Sequence, residues 1–467
     1  MMDALTRIKT GLSKMGHAAG GVDAQPPAAG LYHFRREHEN GKTRLHLRID
    51  PDGTGLLVVN ASQVFHLNPT AATMAYLKLH EAPEEQAVAA LTRWYHVHKT
   101  QARRDYTQIA AILTELSRPD GACPVCDLSL EPTAPFSARP SAPYRMDLAL
   151  TYRCNNDCAH CYNARPRDYP ELDTHQWKAI LDRLWQLGIP HVVFTGGEPS
   201  LRTDLPELVA HAEKNGQITG LNTNARRLSD RSYLDALVKA GLDHVQITLE
   251  SHDPAIHDGM VASQGAWKQT TAGLRNALAS PLYVMTNTTL LDSNSPWLGE
   301  TLDFLADSGV PTVGLNALIY SGRGLIAGHG LPESALPPLL ELARQRTAPR
   351  GQQLIWYTPT QYCHFDPIQL ELGVKGCTAA LYNMCIEPDG QVIPCQSYYQ
   401  PLGDLLTDSW ESIWNHSLSK SLRERSELPS ACSACQLLPE CGGGCPLARQ
   451  AQAFIPMQPV TSFIPTP

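Results

Sequence analysis

The chain has 467 residues, of which 43% are hydrophobic and 18% charged, and a formal net charge of −8. That length exceeds one hydrophobic core, so several folded units are expected, and the lack of a basic excess disfavours nucleic acid as a partner. No apolar run is long enough for a signal peptide or a membrane span, so the chain is read as cytoplasmic with no membrane partner. The thirteen cysteines all lie after residue 120, and without a secretion signal they point to metal or cluster chemistry rather than disulfides.

Residues 1–30 form a tail with scattered basic residues. The unit 31–118 contains no cysteine. Leu31 to Glu37 and Thr43 to Ile49 flank His38-Glu-Asn-Gly41, and an Asn-Gly between alternating stretches predicts a β-hairpin. Short strands are expected at Gly55 onward and at Val64 to Leu67. Asn68-Pro-Thr70 is a start signal for a helix over Ala71 to Leu79, and two further helices are expected near Glu85 to His96 and Asp105 to Ser117.

Residues 119–143 are rich in Pro, Ser and Ala and read as a semi-rigid linker. They contain Cys123-Pro-Val-Cys126, to which no role is assigned. From residue 144 to 335 strand and helix alternate. Strands are expected at Met146 to Thr151, His191 to Thr195, Ile218 to Asn222, His244 to Leu249, Tyr283 to Leu290 and Thr312 to Leu315. The helical stretches between them fall near 174–187, 204–215, 230–240, 265–279 and 297–308. This is an α/β pattern with a parallel sheet, a partial (β/α)6 TIM-like barrel whose functional groups belong at the C-terminal ends of the strands. A bridging region, 336–376, leads to a cysteine-rich C-terminal extension, 377–450, and a tail, 451–467.

Cys154-x3-Cys158-x2-Cys161 follows the first barrel strand directly. Three thiolates at this spacing can hold three irons of a cubane and leave the fourth iron free for a small molecule, with zinc or a disulfide knot as the competing readings. After the second strand comes Gly196-Gly197-Glu198-Pro199. Residues without side chains let backbone approach closely there, and the adjacent carboxylate can receive an ammonium group. In the extension, Cys377-x12-Gly-x4-Cys395 precedes Cys432-x2-Cys435-x5-Cys441-x3-Cys445. Its short loops, including Gly442-Gly-Gly444, suit a cluster better than one tetrahedral ion.

These motifs together resemble the radical S-adenosylmethionine (SAM) enzymes that carry a SPASM extension with auxiliary 4Fe-4S clusters. The strands and three helices of 31–118 resemble the winged-helix RiPP recognition element, a peptide-binding module; a winged helix with no peptide role is the alternative. The resemblance implies that Cys154, Cys158 and Cys161 hold the cluster that cleaves SAM to a 5′-deoxyadenosyl radical, and that Gly196, Gly197 and Glu198 bind its methionine amine. It places His160 near the adenine, and Asn222, Thr223, Asn224, Gln246 and Ser251 at strand ends facing the ribose and carboxylate. Asn287 and Arg323 are further candidates for polar contacts with SAM. No side chain is assigned as a catalytic acid or base. By the family's interleaved pattern Cys377, Cys395 and Cys445 belong to one auxiliary cluster, with Cys363 or Cys385 as a possible fourth ligand, and Cys432, Cys435 and Cys441 to a second.

Two departures stand out. The family pattern ends with one more cysteine after a gap, whereas residues 446–467 contain no Cys, His, Asp or Glu; the second auxiliary cluster then has an open iron, is incomplete, or borrows a ligand, Cys123 and Cys126 among the candidates. Gln396 also stands where sulfatase-maturing relatives place an aspartate. The resemblance therefore implies a maturase of a ribosomally synthesised precursor peptide, its leader docked on the N-terminal unit, with electrons from a flavodoxin or ferredoxin. The alternative is a SPASM enzyme acting on a small molecule in cofactor or tetrapyrrole biosynthesis.

Overall fold

The computed structural model describes residues 25–38, 41–60, 63–117, 139–328 and 330–453. Glu39 and Asn40 of the expected turn, and Cys123 and Cys126, lie outside them. Strands β1 (Gly30–His38), β2 (Gly41–Ile49), β3 (Gly55–Val59) and β4 (Gln63–Leu67) form an antiparallel sheet in that order. The β1–β2 pairing runs from Gly30 opposite Ile49 to His38 opposite Gly41, the hairpin that the Asn-Gly signal predicts. Three helices follow, Pro69–Leu79, Glu84–Tyr95 and Lys99–Leu116. Asn68 caps the first by accepting from Ala71 N at 2.9 Å. The third starts earlier than its apolar periodicity suggests, because its first turns are polar on the outside and bury Ala102 alone on the inside. Leu45, Leu47, Leu57 and Val59 of the sheet pack on Ala75, Leu79, Ile112, Leu113 and Leu116.

The barrel strands β5 (Arg145–Thr151), β6 (His191–Gly196), β7 (Ile218–Thr223), β8 (His244–Thr248), β9 (Tyr283–Thr289) and β10 (Thr312–Asn316) are parallel and adjacent in sequence order, as the alternation predicts. The helices Thr174–Gln186, Leu205–Asn215, Arg231–Ala240, Ala266–Leu278 and Leu298–Asp307 cover their outer face. Local chemistry sets their ends: Asp173 and Gln176 form a capping box, and Gly216 and Gly241 close two helices in the left-handed region.

The sheet extends past the six expected strands on both sides. β11 (Gln353–Trp356), from the bridging region, pairs parallel with β10, and β12 (Asn383–Ile386), from the cysteine-rich extension, pairs parallel with β5. β13 (Gln391–Ile393) and β14 (Gly403–Asp404) continue antiparallel, giving ten strands in the order β11-β10-β9-β8-β7-β6-β5-β12-β13-β14. The sequence hides these additions. Pro337 and Pro338 mask the helix Leu336–Thr347 that precedes β11, although proline is tolerated in a first helical turn. β12 is a short apolar run lying inside a metal motif.

The N-terminal sheet is seated on the outside of the barrel by polar groups. Arg44, 2% exposed, pairs with Glu213 and Asp243 and donates to Gln217 O. His46 Nε2 lies 2.7 Å from Gly216 O, and Arg48 donates to Ala142 O and Gly188 O. Leu56 and Val58 pack on Ile218 beside Tyr144. Among the described residues no helix is long and apolar enough to cross a membrane.

Candidate active site

Cys154, Cys158 and Cys161 occupy the loop that leaves the C-terminal end of β5, each half-buried with a free thiol. Asn156 N donates to Cys154 Sγ at 3.4 Å. Burial pushes the Cys154 thiol up to about 11 against that hydrogen bond, with Glu198 and Cys161 adding to the rise. Burial, then Cys161, Glu250 and Cys154 drive Cys158 higher still. Burial thus disfavours the thiolates of Cys154 and Cys158 unless a cation compensates them.

Three arginines pin this loop, none of them evident as such in the motif. Arg167 donates to Cys154 O at 2.9 Å and to Asp157 Oδ1 at 2.6 Å. Arg226 donates to Asn155 O, to Asn156 Oδ1 at 2.8 Å and to Ser263 Oγ at 2.9 Å. Arg323 donates to Asp157 Oδ1 at 2.9 Å, and Gly324 N to Cys161 O at 3.3 Å. The candidate Arg323 therefore lies against the cluster loop. Arg226, just after Asn222-Thr-Asn224, was traceable only through that neighbourhood.

The glycines after β6 are packed against the same loop. Gly197 N donates to Thr151 O at 2.7 Å and Glu198 N to Arg153 O at 2.8 Å. A Cβ on Gly196, whose φ is +127°, would meet Thr151 O at 2.2 Å, and one on Gly197 would meet Arg153 O at 2.4 Å. Glycine is required so that the two turns touch. Glu198 is fully buried and ties β6 to β7: it accepts from Ser200 N at 3.0 Å, Thr223 Oγ1 at 2.8 Å and Asn224 N at 2.8 Å. Burial raises its pKa against these hydrogen bonds. Asn224 Nδ2 reaches Asn155 Oδ1 in the cluster loop at 2.7 Å.

His160 Nε2 stands 3.0 Å from Glu250 Oε1, a carboxylate 1% exposed that also accepts from Thr289 N at 2.9 Å. Glu250 escaped notice in the sequence although it directly precedes Ser251. Ser251 itself is buried and accepts at 3.1 Å from the N–H of Asp253, the residue that caps the helix Pro254–Met260. Asn222, Gln246, Met285 and Asn287 are half-buried and alternate with the buried residues of β7, β8 and β9, which places them on the inner face. Asn287 Oδ1 is buried with no hydrogen-bond partner among the described residues, an acceptor left for a ligand of that lumen.

The extension brings its cysteines together in two groups. Burial, then Cys445, pushes Cys377 up to about 12, and burial followed by Cys377 and then Cys445 raises Cys395. Around the second group, Cys432, Cys435 and Cys441 sit in tight turns in which Cys435 N donates to Cys432 O and Cys441 N to Leu437 O. Gly442, Gly443 and Gly444 all have positive φ between Cys441 and Cys445. Cys385 is fully buried on β12 among Ala149, Tyr152 and Ile393. A salt bridge missed in the sequence joins the extension to the barrel loop: Arg165 donates twice to the buried Glu387, both at 2.7 Å. Among the described residues no three His, Cys, Asp or Glu close around a single metal ion. Soft thiols at these spacings fit iron–sulfur clusters better than compact tetrahedral zinc.

Residues 148–305 match the family model of the radical SAM superfamily, and residues 377–436 that of an iron–sulfur cluster-binding domain, SPASM. The PqqA peptide cyclase of Streptomyces rochei is 30% identical over 328 residues, 67% of this chain and 86% of that protein. The fold matches Streptococcus suis SuiB bound to precursor peptide SuiA with a TM-score of 0.64 at 16% identity, over 89% of this chain and 96% of that one. It matches SuiB bound to S-adenosylmethionine equally well, over 86% and 95%. The chain belongs to the radical SAM superfamily, as an enzyme with a SPASM domain that uses S-adenosylmethionine and 4Fe-4S clusters.

Proposed function

We propose that the enzyme matures a ribosomally synthesised precursor peptide. Its relatives at 30% identity are named for cyclising a peptide, PqqA. The observation that carries the reading furthest is the N-terminal sheet: it is bolted to the barrel by buried Arg44 and His46, while among the described residues β1 and β4 each pair on one side only. An unpaired strand edge on a unit fixed to the barrel can add the leader as a further strand and raise the local concentration of the core segment.

In this reading Cys154, Cys158 and Cys161 hold the cluster, and Gly196, Gly197, Glu198, His160, Asn222, Ser251 and Arg323 shape the SAM pocket. When bound there, the cofactors supply a 5′-deoxyadenosyl radical that takes hydrogen from an unactivated carbon. The chain's own residues position that chemistry. The arginine-pinned loop fixes the thiols, the Glu198 strut holds the ends of β6 and β7, and the parallel strands enclose the lumen. Electrons come from a small donor such as flavodoxin or ferredoxin, and the reaction belongs in the reducing cytoplasm, where thiolates persist.

The test is a short peptide encoded beside the gene, incubated with reduced, reconstituted enzyme and SAM. A mass change in the full precursor, and none in its core segment lacking the leader, is expected. Equal conversion of both would remove the leader-docking step, and absence of conversion of any such peptide would remove the peptide reading.

A further inference from the structure

We propose that Cys363 completes a four-cysteine site with Cys432, Cys435 and Cys441, so that the second auxiliary cluster is bound by thiolates alone. The proposal rests on reading the motif cysteines as cluster ligands.

The placement of residues 360–363 argues for this assignment. Tyr362 N donates to Cys441 Sγ at 3.4 Å, and Cys441 Sγ lies 3.6 Å from Thr360 O. Gly444 sits so close that a Cβ there would meet Gln361 Cγ at 2.7 Å and Thr360 C at 3.2 Å. The segment is held rigidly: Trp356 Nε1 donates to Thr360 Oγ1 at 2.9 Å, Thr360 N to Lys375 O at 3.0 Å, and Lys375 N to Tyr362 Oη at 2.9 Å. Cys363 is the next residue, exposed enough for its sulfur to reach outward. His364, the other potential ligand here, is engaged by Glu333.

The spare cysteine Cys385 is placed differently. It is fully buried, its sulfur lies 3.7 Å from Ile386 O, and its register partner is Asp147 of β5. The sequence alone offered Cys363 and Cys385 equally to the first auxiliary cluster. The structure moves Cys363 to the second group and leaves Cys385 on β12 opposite Ile393, two residues before Cys395 of the first. Four thiolates leave no iron of the second cluster for an outside atom, which suits an electron carrier.

The full chain with Cys154→Ala, Cys158→Ala and Cys161→Ala isolates the auxiliary centres. Reconstituted without air, it should hold about eight irons, two cubanes. Adding Cys363→Ala should halve the iron or convert one cubane to a three-iron cluster visible by electron paramagnetic resonance, while the other cluster keeps its Mössbauer signature and so reports a folded chain. Cys363→Ser, nearly isosteric, should alter one cluster only. Cys385→Ala, and Cys123→Ala with Cys126→Ala, should leave the second cluster unchanged. Unchanged spectra in both Cys363 variants, loss of both clusters in both, or loss of the second cluster in either control overturns the assignment. A background protein with no auxiliary iron at all would instead defeat the underlying reading of the motif.

Discussion

Glu198 accepts two backbone N–H groups and one hydroxyl while fully buried, so its replacement has a structural cost as well as any effect on cofactor. In Glu198→Gln the amide NH2 must face a donor, leaving a buried group unsatisfied at a cost of about 1–3 kcal/mol. The expected result is weaker SAM binding together with a thermal midpoint lower by several degrees, read by SAM titration and by unfolding of the cofactor-free chain. Unchanged stability would show that the strut is dispensable. Gly197→Ala is predicted to be harsher for cofactor assembly: its Cβ would meet backbone oxygens of Arg153 and Tyr152 at 2.4 and 2.6 Å, neither of which can rotate away. The turn must part from the cluster loop, so iron incorporation and SAM binding should fall together. A variant with full iron content and unaltered SAM affinity would refute that coupling.

The cluster loop is an element held from outside itself. Arg226→Met would remove its bonds to Asn155, Asn156 and Ser263, about 1–3 kcal/mol of local anchoring if part of the network survives on Arg167 and Arg323. Iron should then pass from the SAM-cleaving cluster to a ferrous chelator several-fold faster, with the auxiliary clusters unaffected; equal release rates would rule the clamp out. This contrast shows where the sequence is informative. The cysteine spacing, the glycine turn, the Asn68 cap and the six alternating strands are local patterns, and each reappears within a residue or two of its expected place. Arg226, Glu250 and the Arg165–Glu387 pair depend on contacts between distant segments, which no local period records. β11 and β12 belong to the same class: each is a short apolar run that becomes a strand only because a neighbouring edge needs a partner.

Across the molecule, the joint between the N-terminal unit and the barrel is rich in histidine. Burial first, then Arg44 and Arg35, lowers His33 to about 4, with Asp243 opposing and Lys42 reinforcing. Burial and the stacked His33 lower His46, and burial lowers His191 as well as His244, the latter to about 4. The folded state favours the neutral imidazoles, so their contribution is complete above the unfolded value near 6.5 and is lost as pH falls from there through about 4. Denaturant unfolding should therefore show stability falling over that window, and His33→Gln with His46→Gln should flatten the slope. An identical slope in the double variant would place the sensitivity elsewhere. The pairing of Arg145 with Asn383 has a further consequence, for synthesis. As the ribosome delivers the chain, β5 gains β6 early, but its other edge stays bare until β12 emerges. The nascent barrel thus carries an open, aggregation-prone seam through most of translation, and cells making this enzyme should need chaperone cover until the extension arrives.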